Sequence, residues 1–285
     1  MTAQIINGRQ IANQILENIG KNISESAILP KLAIILVGDD EASRVYVKNK
    51  QKASEQVGIC AQLFHLPTDT TQENVLKLID DCNNDAEING IIVQLPLPEH
   101  LNSGEIINRI SPLKDVDGFH PYNTGLLQNN EKPYFIAATP LGIMTMLQTL
   151  SMNLSGKNAV LIGASLIVGR PLATLLLNQE CTVTITHIHT RNIKELTAKA
   201  DILVAACGVA NLVKKDWVKD GAVLIDVGIN RENGKLCGDI DFEDVKEKAS
   251  SITPVPGGVG PMTVAMLLQN TYNAYLLQHS LLSKN

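Results

Sequence analysis

The sequence has few of the features that mark secreted, membrane-spanning or metal-binding proteins. Its five cysteines are scattered along 285 residues and form no CxxC pair. This spacing argues against a disulfide framework or a zinc site and is typical of a reducing compartment. The chain also lacks the basic start and apolar run of a signal peptide, and any stretch of about 18 apolar residues. We therefore expect a cytoplasmic protein with no membrane partner and no metal.

Positive charge is also scarce. The chain has 24 Lys and Arg against 29 Asp and Glu, a net charge of −5 at pH 7, and no basic stripe. Nucleic-acid phosphates require concentrated Lys and Arg, so we expect no nucleic-acid partner. Hydrophobic residues make up 45% of a chain that is longer than a typical single domain, which predicts two domains with packed cores.

Strands and helices alternate in two blocks. Short apolar runs predict buried parallel strands, and the segments between them predict helices. The predicted strands are 31–37, 61–66, 90–95, 158–162, 182–187, 202–206, 222–227 and 251–253. The predicted helices are 41–57, 72–83, 103–110, 139–150, 170–178 and 262–277. Residues 111–138 have no clear period, and long irregular segments in compact proteins are often functional.

This alternation predicts an α/β fold. We expect two α/β domains with a cleft between them, the second a Rossmann-like doubly wound parallel sheet. The first domain is assigned to residues 1–138 together with a closing helix at about 264–285, and the second to residues 139–263. Thr139 is expected to cap the first helix of the second domain, with Pro140 in its first turn.

A glycine-bearing turn follows the first strand of the second block and opens a helix. Backbone N–H groups in such a turn, beside small residues, can hold a pyrophosphate. The predicted cofactor contacts are Gly163, Ala164, Ser165, Val168, Gly169 and Arg170. The match to GxGxxG is imperfect because Ser165 replaces the middle glycine, and an ordinary strand-to-helix turn explains these residues equally well.

The next strand of this block ends without an acidic residue. An Asp or Glu there usually binds a free ribose 2′-hydroxyl, but the segment from Cys181 to Lys194 contains none. It offers His187 and Arg191, whose cationic groups bind phosphate through charge-assisted hydrogen bonds. This favours NADP over NAD as the cofactor. The alternative is that these residues only solvate a loop.

Further ligand contacts are expected in the second block. Gly208 and Ile229 follow later strands, at the strand ends where open sheets bind ligands, and Thr263 lies near the start of the last helix. All three are predicted to contact the cofactor. The preceding segment is rich in proline and glycine and predicts a rigid loop that brings backbone amides close to a ligand. Its predicted substrate contacts are Pro256, Gly257 and Gly258.

One helix of the first block carries a candidate catalytic lysine. Ser43, Tyr46 and Lys50 are spaced by three and four residues, so they share one face of the predicted helix. The helix starts at the carboxyl end of a strand, and that face therefore borders the expected cleft. Taken alone, a Tyr packed over an extended Lys on a surface helix explains the pattern better.

Two later segments add context. Gln94 ends a strand inside an apolar run, where a buried amide needs a partner, and a lysine in the cleft is a plausible one. Asp117 lies in the irregular segment and could accept hydrogen bonds from a heterocycle. His120 could act as a base, although a His between Phe and Pro is more often a packed loop residue.

Taken together, these segments resemble the methylenetetrahydrofolate dehydrogenase/cyclohydrolase family. The similar stretches are 37–50, 93–98, 114–125, 163–171, 225–230 and 252–263, in family order. The strings PGGVGPMT and KDVDGFHPYN are highly specific. The resemblance implies a bifunctional, NADP-dependent enzyme that oxidises 5,10-methylenetetrahydrofolate and hydrolyses the product to 10-formyltetrahydrofolate. It also implies a homodimer that binds tetrahydrofolate derivatives and serves one-carbon metabolism and purine biosynthesis.

The resemblance also implies roles for individual residues. Lys50 is the central catalytic residue, Gln94 tunes it, Tyr46 stacks on the substrate and Asp117 holds the pterin ring, with Ser43 as a further substrate contact. Lys50 can accept a proton only as a neutral amine, and partial burial beside a cationic substrate would favour that form.

Two residues depart from the family pattern. Leu166 stands where a polar residue is expected in the turn, and Ile188 where a serine is expected after His187. Both bear on cofactor choice and not on the reaction.

Two other functions fit parts of the sequence. An NAD-linked dehydrogenase of a small hydroxy or amino acid shares the architecture, but gives the helix of Lys50 and the loop of Asp117 no role. A non-catalytic folate or dinucleotide sensor could retain the fold, but binding alone does not require a tunable amine. Turnover assays distinguish these alternatives.

Overall fold

A computed structural model describes residues 2–26, 28–232 and 234–282. In chain order the elements are β1 (Gln4–Ile5), α1 (Gly8–Ser26), β2 (Lys31–Val37), α2 (Glu41–Val57), β3 (Cys60–Leu66), α3 (Gln72–Asn84), β4 (Gly90–Val93), α4 (Ser103–Arg109), α5 (Pro121–Gln128), α6 (Ala138–Thr149), β5 (Asn158–Ile162), α7 (Gly169–Asn178), β6 (Thr182–Thr186), α8 (Ile193–Thr197), β7 (Ile202–Ala205), a 3₁₀ turn (Lys215–Trp217), β8 (Val223–Asp226), β9 (Asn230–Glu232), β10 (Lys235–Cys237), α9 (Phe242–Val245), β11 (Ser251–Ile252) and α10 (Val259–Leu282).

The chain forms two compact units, which confirms the predicted two-domain α/β fold. The large-sheet unit consists of the N-terminal residues to Asn13 and of Thr139–Thr263. The small-sheet unit consists of Gln14–Ala138 and of the residues from Val264 onward.

A six-stranded parallel sheet forms the centre of the large-sheet unit. Its strand order is β1-β11-β8-β7-β5-β6, and the order reverses direction along the chain between β6 and β7. Strands β7 and β8 are buried along their whole length because they lie inside the sheet. The carboxyl end of β7 lies next to that of β5, where the glycine-bearing turn begins, and β8 ends at the same edge of the sheet on the other side of β7.

The small-sheet unit has a three-stranded parallel sheet of order β3-β2-β4. The central strand β2 is almost fully buried, as its unbroken apolar run predicts. Helix α2 follows it, begins after Asp40, whose side chain accepts the N–H of Ser43, and ends at Gly58 in the left-handed conformation. This helix therefore holds its residues at the carboxyl end of β2.

The domain division differs from the sequence-based one at the N-terminus. Residues up to Asn13 belong to the large-sheet unit and not to the first domain. The reason is that β1 pairs in parallel with β11, with Gln4 opposite Ser251 and Ile5 opposite Ile252. A two-residue edge strand has no periodicity that a sequence pattern can reveal.

Several local predictions also differ from the structure. Thr139 is the second residue of α6 and not its N-cap, because the helix already begins at Ala138. Helix α10 begins at Val259 and continues to Leu282, further than predicted at both ends. The irregular segment contains the short helix α5. The described part of the chain contains no helix with the length and hydrophobicity needed to cross a membrane.

Candidate functional site

Lys50 and Gln94 meet in the small-sheet unit. The Lys50 Nζ donates a hydrogen bond to the Gln94 Oε1 over 3.1 Å. The Gln94 Nε2 donates to the carbonyl of Leu95 over 2.7 Å, and the Gln94 N–H donates to the carbonyl of Ile35. These bonds hold the amide with its oxygen toward the lysine, so the predicted pairing is present in the structure.

Asp117 lies near the same lysine. Partial burial raises the pKa of its carboxyl, and the positive charge of Lys50 opposes this shift. Among the described residues none donates a hydrogen bond to the Asp117 side chain, so its oxygens are open to a ligand. The structure therefore brings together three of the residues singled out from the sequence: an amine, an amide and a carboxyl group.

The backbone around Asp117 is held by a buried carboxylate that the sequence analysis did not identify. Asp115 accepts hydrogen bonds from the N–H groups of Phe119 and His120 and from the Asn123 side chain, at 3.2, 2.9 and 2.9 Å. Burial raises the pKa of Asp115 to about 6, even though these bonds oppose the shift. The buried carboxylate of Asp115 therefore fixes the backbone of this loop through hydrogen bonds.

A second support for this loop comes from α10. The buried Asn270 donates through its Nδ2 to the carbonyls of Val116 and Ile136, both over 2.9 Å. Gly118 follows Asp117 in the same loop. Its φ is +73°, and a Cβ there would lie 2.4 Å from the backbone N of Ala137. Asp117 is thus flanked by a position that only glycine fits.

Residues predicted to share one face of α2 differ in their exposure in the structure. Ser43 is 2% exposed and lies on the inward face with Val47 and Ser54, whereas Tyr46 is 44% exposed. Tyr46 is available for stacking, but the buried Ser43 is less accessible than the sequence pattern suggests. The difference arises because the inward face of the helix packs against the sheet.

His120 serves as a helix cap. Its Nδ1 accepts the N–H of Tyr122 at the start of α5, and its Nε2 lies 3.2 Å from the carbonyl of Asn108. Both ring nitrogens are therefore engaged, as expected of a packed loop residue.

In the large-sheet unit, both glycines of the predicted phosphate turn are sterically required. A Cβ at Gly163 would lie 2.2 Å from the carbonyl oxygen of Ala206, and one at Gly169 would lie 2.0 Å from that of Gly163. Gly163 also has a φ of +118°. The turn from Ala164 to Val168 therefore folds tightly between β5 and α7.

The side chain of Ser165 bonds across this turn, just before α7. Its Oγ accepts the N–H groups of Val168 and Gly169 at 3.2 and 3.4 Å. The Arg170 Nε donates to the carbonyl of Ala164, which closes the turn further. Leu166 projects from it with 73% of its surface exposed.

The end of β6 presents polar groups without an acid. His187, Ile188, His189 and Arg191 are exposed, and the N–H of Gly163 donates to the carbonyl of Thr186 over 3.0 Å. This hydrogen bond places the end of β6 directly beside the phosphate turn. The two predicted cofactor segments are therefore neighbours.

The proline- and glycine-rich loop forms one wall of a cavity of about 100 Å³. Its lining includes Arg9, Ile229, Leu236 and residues 254–261. Gly257 has a φ of +107°, and a Cβ at Gly258 would lie 2.6 Å from the carbonyl oxygen of Pro254. These constraints explain the dense glycine content of the loop. Pro256 is exposed.

The predicted contacts Gly208 and Thr263 are tied to neighbouring groups. The N–H groups of Cys207 and Gly208 donate to the buried carboxylate of Asp239 at 2.7 and 3.0 Å. Thr263 shares a 2.8 Å hydrogen bond with the hydroxyl of Thr139. Both residues therefore have structural bonds beside any role toward a ligand.

Asp226, the last residue of β8, has a structural role. Its buried carboxylate accepts the N–H groups of Gly228, Asp239 and Ile240 at 2.9 to 3.0 Å. Burial raises its pKa to about 6. Within the described ranges, no group of three or more His, Cys, Asp or Glu could hold a metal ion.

Comparisons with known proteins agree on one family. Residues 6–117 match the model of the tetrahydrofolate dehydrogenase/cyclohydrolase catalytic domain, and residues 137–279 match that of the NAD(P)-binding domain of the same family. The bifunctional protein FolD of Aquifex aeolicus is 51% identical over 277 residues, which are 96% of this chain and 95% of that protein.

Solved structures of related enzymes superpose closely on this chain. The bifunctional enzyme FolD from Campylobacter jejuni superposes with a TM-score of 0.94 at 46% identity, over 96% of this chain and 99% of that chain. The FolD of Trypanosoma brucei, solved with NADP cofactor and inhibitor, gives a TM-score of 0.93 at 34% identity, over 97% and 98% of the two chains.

Proposed function

Because the chain belongs to the tetrahydrofolate dehydrogenase/cyclohydrolase family, as its motifs predict, we propose that it is a bifunctional folate enzyme. It oxidises 5,10-methylenetetrahydrofolate to 5,10-methenyltetrahydrofolate with NADP⁺. It then hydrolyses the methenyl compound to 10-formyltetrahydrofolate.

The observation that carries this proposal is the bond between Lys50 and Gln94 beside Asp117. The neutral amide oxygen fixes the direction of the Lys50 amine without placing a charge at bonding distance. A sensor that only binds folate has no need for such an arrangement. The same three residues have no evident role in a dehydrogenase of small hydroxy acids.

In the hydrolysis, Lys50 acts as the base. Water attacks the methenyl carbon, the neutral Nζ accepts the proton released, and the positive charge of the substrate is lost as the new C–O bond forms. The bond from this carbon to N5 then breaks: the hydroxyl loses its proton as the C=O of the formyl group forms, N5 gains a proton, and one proton is released overall. Gln94 orients the amine through its Oε1, while Asp117 accepts hydrogen bonds from the pterin ring. Tyr46, which is exposed on the same helix, stacks on the substrate.

In the oxidation, the protein acts mainly by orientation. The lone pairs of N5 and N10 drive the departure of the hydride from the carbon between them, so no protein base is required. The bound nicotinamide supplies the oxidant by accepting that hydride. Pro256, Gly257 and Gly258 contact the folate through the rigid loop.

The residues of the large-sheet unit fit NADP. The tight turn from Gly163 to Gly169 leads into α7 and suits a pyrophosphate, and the end of β6 carries His187 and Arg191 with no acid for a ribose 2′-hydroxyl. We propose that these residues hold the cofactor, with further contacts from Ile229, Gly208 and Thr263. The related Trypanosoma brucei structure with NADP supports the same cofactor.

We propose the oligomeric state, the compartment and the pathway from membership of the family. The enzyme acts as a homodimer in the cytoplasm and supplies one-carbon units to purine biosynthesis.

Assays on the purified chain test the function directly. Methylenetetrahydrofolate is supplied with NADP⁺ or NAD⁺, and methenyltetrahydrofolate is supplied alone. The proposal requires turnover in both assays, with NADP⁺ the better oxidant. Folate binding without turnover would instead identify a sensor. Turnover of only a small hydroxy or amino acid would identify the other dehydrogenase class.

A further inference from the structure

Two histidines stand together in the turn that follows β6. The N–H of His187 donates to the Thr190 Oγ1 over 2.9 Å, and the N–H of Thr190 donates to the carbonyl of His187 over 2.8 Å. Within this closed turn, the ring centroids of His187 and His189 lie 5.9 Å apart with the planes at 69°. The backbone thus holds both rings close together, although both residues are exposed.

The hydrogen bonds define which atom of His187 is free to donate. The N–H of His189 donates to the Nδ1 of His187 over 3.2 Å, so the proton of a neutral His187 ring is on Nε2. This bond comes from the backbone of residue 189 and survives any side-chain change there. The His189 side chain can therefore be replaced without releasing the ring of His187.

The basic side chains around the two histidines differ in whether they already have a partner. Lys194 on α8 is paired with Asp216 of the 3₁₀ turn, and Arg170 on α7 bonds the carbonyl of Ala164 through its Nε. Arg191 is exposed in the same segment. Ile188, between the two histidines, is 93% exposed and offers no polar group. The donors of this turn are therefore His187, His189 and Arg191.

We infer that His189 is a further specificity-determining residue, which with His187 binds the 2′-phosphate of the dinucleotide. This inference rests on the proposed function. A phosphate monoester has three acceptor oxygens, and imidazolium and guanidinium donors meet them with charge-assisted hydrogen bonds. A ribose 2′-hydroxyl offers no such charge, so the pair discriminates NADP from NAD.

Calorimetric titration with two fragments tests this inference without turnover. Adenosine 2′,5′-bisphosphate carries the 2′-phosphate, and adenosine 5′-monophosphate lacks it. We expect His189→Gln to lower the preference for the bisphosphate about tenfold. His189→Arg, which keeps a cationic donor, should keep the preference. His279→Gln, which removes an exposed histidine near the end of α10, should match the wild type.

The outcomes separate this inference from the proposed function. An unchanged fragment preference in His189→Gln, in a chain that still oxidises methylenetetrahydrofolate, would overturn the role of His189 alone. A wild-type chain that oxidises the folate with neither cofactor would overturn the proposed function. An equal loss of affinity for both fragments would show a structural role for His189 and would also reject the inference.

Discussion

At the scale of single residues, the chemistry depends on what each charged group has as its partner. The amine of Lys50 bonds an uncharged amide at 3.1 Å, whereas the exposed lysines Lys214 and Lys219 pair with the carboxylates of Asp241 and Asp201. Among these three lysines, only Lys50 has an uncharged partner, which orients its amine without forming an ion pair.

Replacing this lysine tests its role. We expect Lys50→Met to lower hydrolysis of methenyltetrahydrofolate at least about 100-fold, because general-base catalysis contributes at least this much. Folate binding, measured by fluorescence titration, should be largely retained, since Asp117 and Tyr46 remain. Lys52→Met alters an exposed lysine of the same helix and should behave as the wild type. Hydrolysis at the wild-type rate in Lys50→Met would exclude Lys50 from the mechanism.

A second replacement tests cofactor choice. We expect Arg191→Ala to raise the KM for NADP⁺ about tenfold and that for NAD⁺ much less, because only NADP⁺ offers a phosphate to the guanidinium. Steady-state kinetics with each cofactor measure the two values. Arg231→Ala removes an exposed arginine from β9 as a control. Equal increases for both cofactors would contradict a phosphate-binding role for Arg191.

At the scale of elements, one helix supports the loop that carries Asp117. The buried Asn270 of α10 satisfies the carbonyls of Val116 and Ile136, and Gln278 of the same helix donates to the carbonyls of Asn89 and Leu113, both over 2.8 Å. Side-chain amides of α10 thus take the place of a neighbouring strand for this irregular segment.

The contribution of Asn270 can be measured. Asn270→Leu has a similar size but leaves two buried carbonyls without a donor. We expect the free energy of unfolding to fall by about 2 kcal/mol or more, as measured by urea denaturation, and the KM for folate to rise because Asp117 loses its support. Asn273→Leu, at an exposed position one turn further along, should change little. An Asn270→Leu variant with wild-type stability would show that the loop keeps its conformation without the side chain of Asn270.

Most of the regular elements could be predicted from the sequence, and the reasons are local, although the 19-residue helix α1 was not predicted. β2 is an unbroken apolar run, and α2 has an Asp cap at one end and Gly58 at the other. Such signals lie within a few residues of the element that they define. By contrast, strand β1 has two residues and strands β9 and β10 have three each. Strands this short show no periodic pattern of apolar residues.

The supports of the site could not be predicted, because their partners are far apart in sequence. Asn270 lies 154 residues from Val116, and Asp239 lies 32 residues from Cys207. A lone Asn in a helix and a lone Asp in a turn give no sign of these partners. Lys50 and Gln94 are also distant, but the need of a strand-end amide for a partner suggested their pairing. The burial of Ser43 was missed because helical spacing does not say which side faces the sheet.

At the scale of the whole molecule, each unit contains a buried carboxyl group whose pKa is raised to about 6. Burial raises the pKa of Asp115 in the small-sheet unit and that of Asp226 in the large-sheet unit from 3.8 to about 6. Both carboxylates accept hydrogen bonds only from N–H groups, and neither has a cationic partner at bonding distance among the described residues. Both units therefore respond to pH in the same direction.

The direction follows from proton linkage. Between about pH 4 and pH 6 the folded chain holds protons that the unfolded chain has released, so these groups lower the free energy of unfolding as the pH rises. A shift of this size corresponds to about 3 kcal/mol for each group. In urea denaturation, the stability of the wild type relative to Asp226→Asn should fall across this window and level off above it. A constant difference between the wild type and Asp226→Asn across this window would show that Asp226 is ionised throughout.

The chain changes unit three times, and the crossings at Asn13 and at Thr263 lie inside α1 and α10. A contiguous gene segment for residues 139–263 would therefore omit the edge strand β1 and cut α10 after its first turn. A segment ending at residue 138 would omit the helix that carries Asn270. Recombination can thus transfer this molecule whole, but it cannot exchange one half as an independent module.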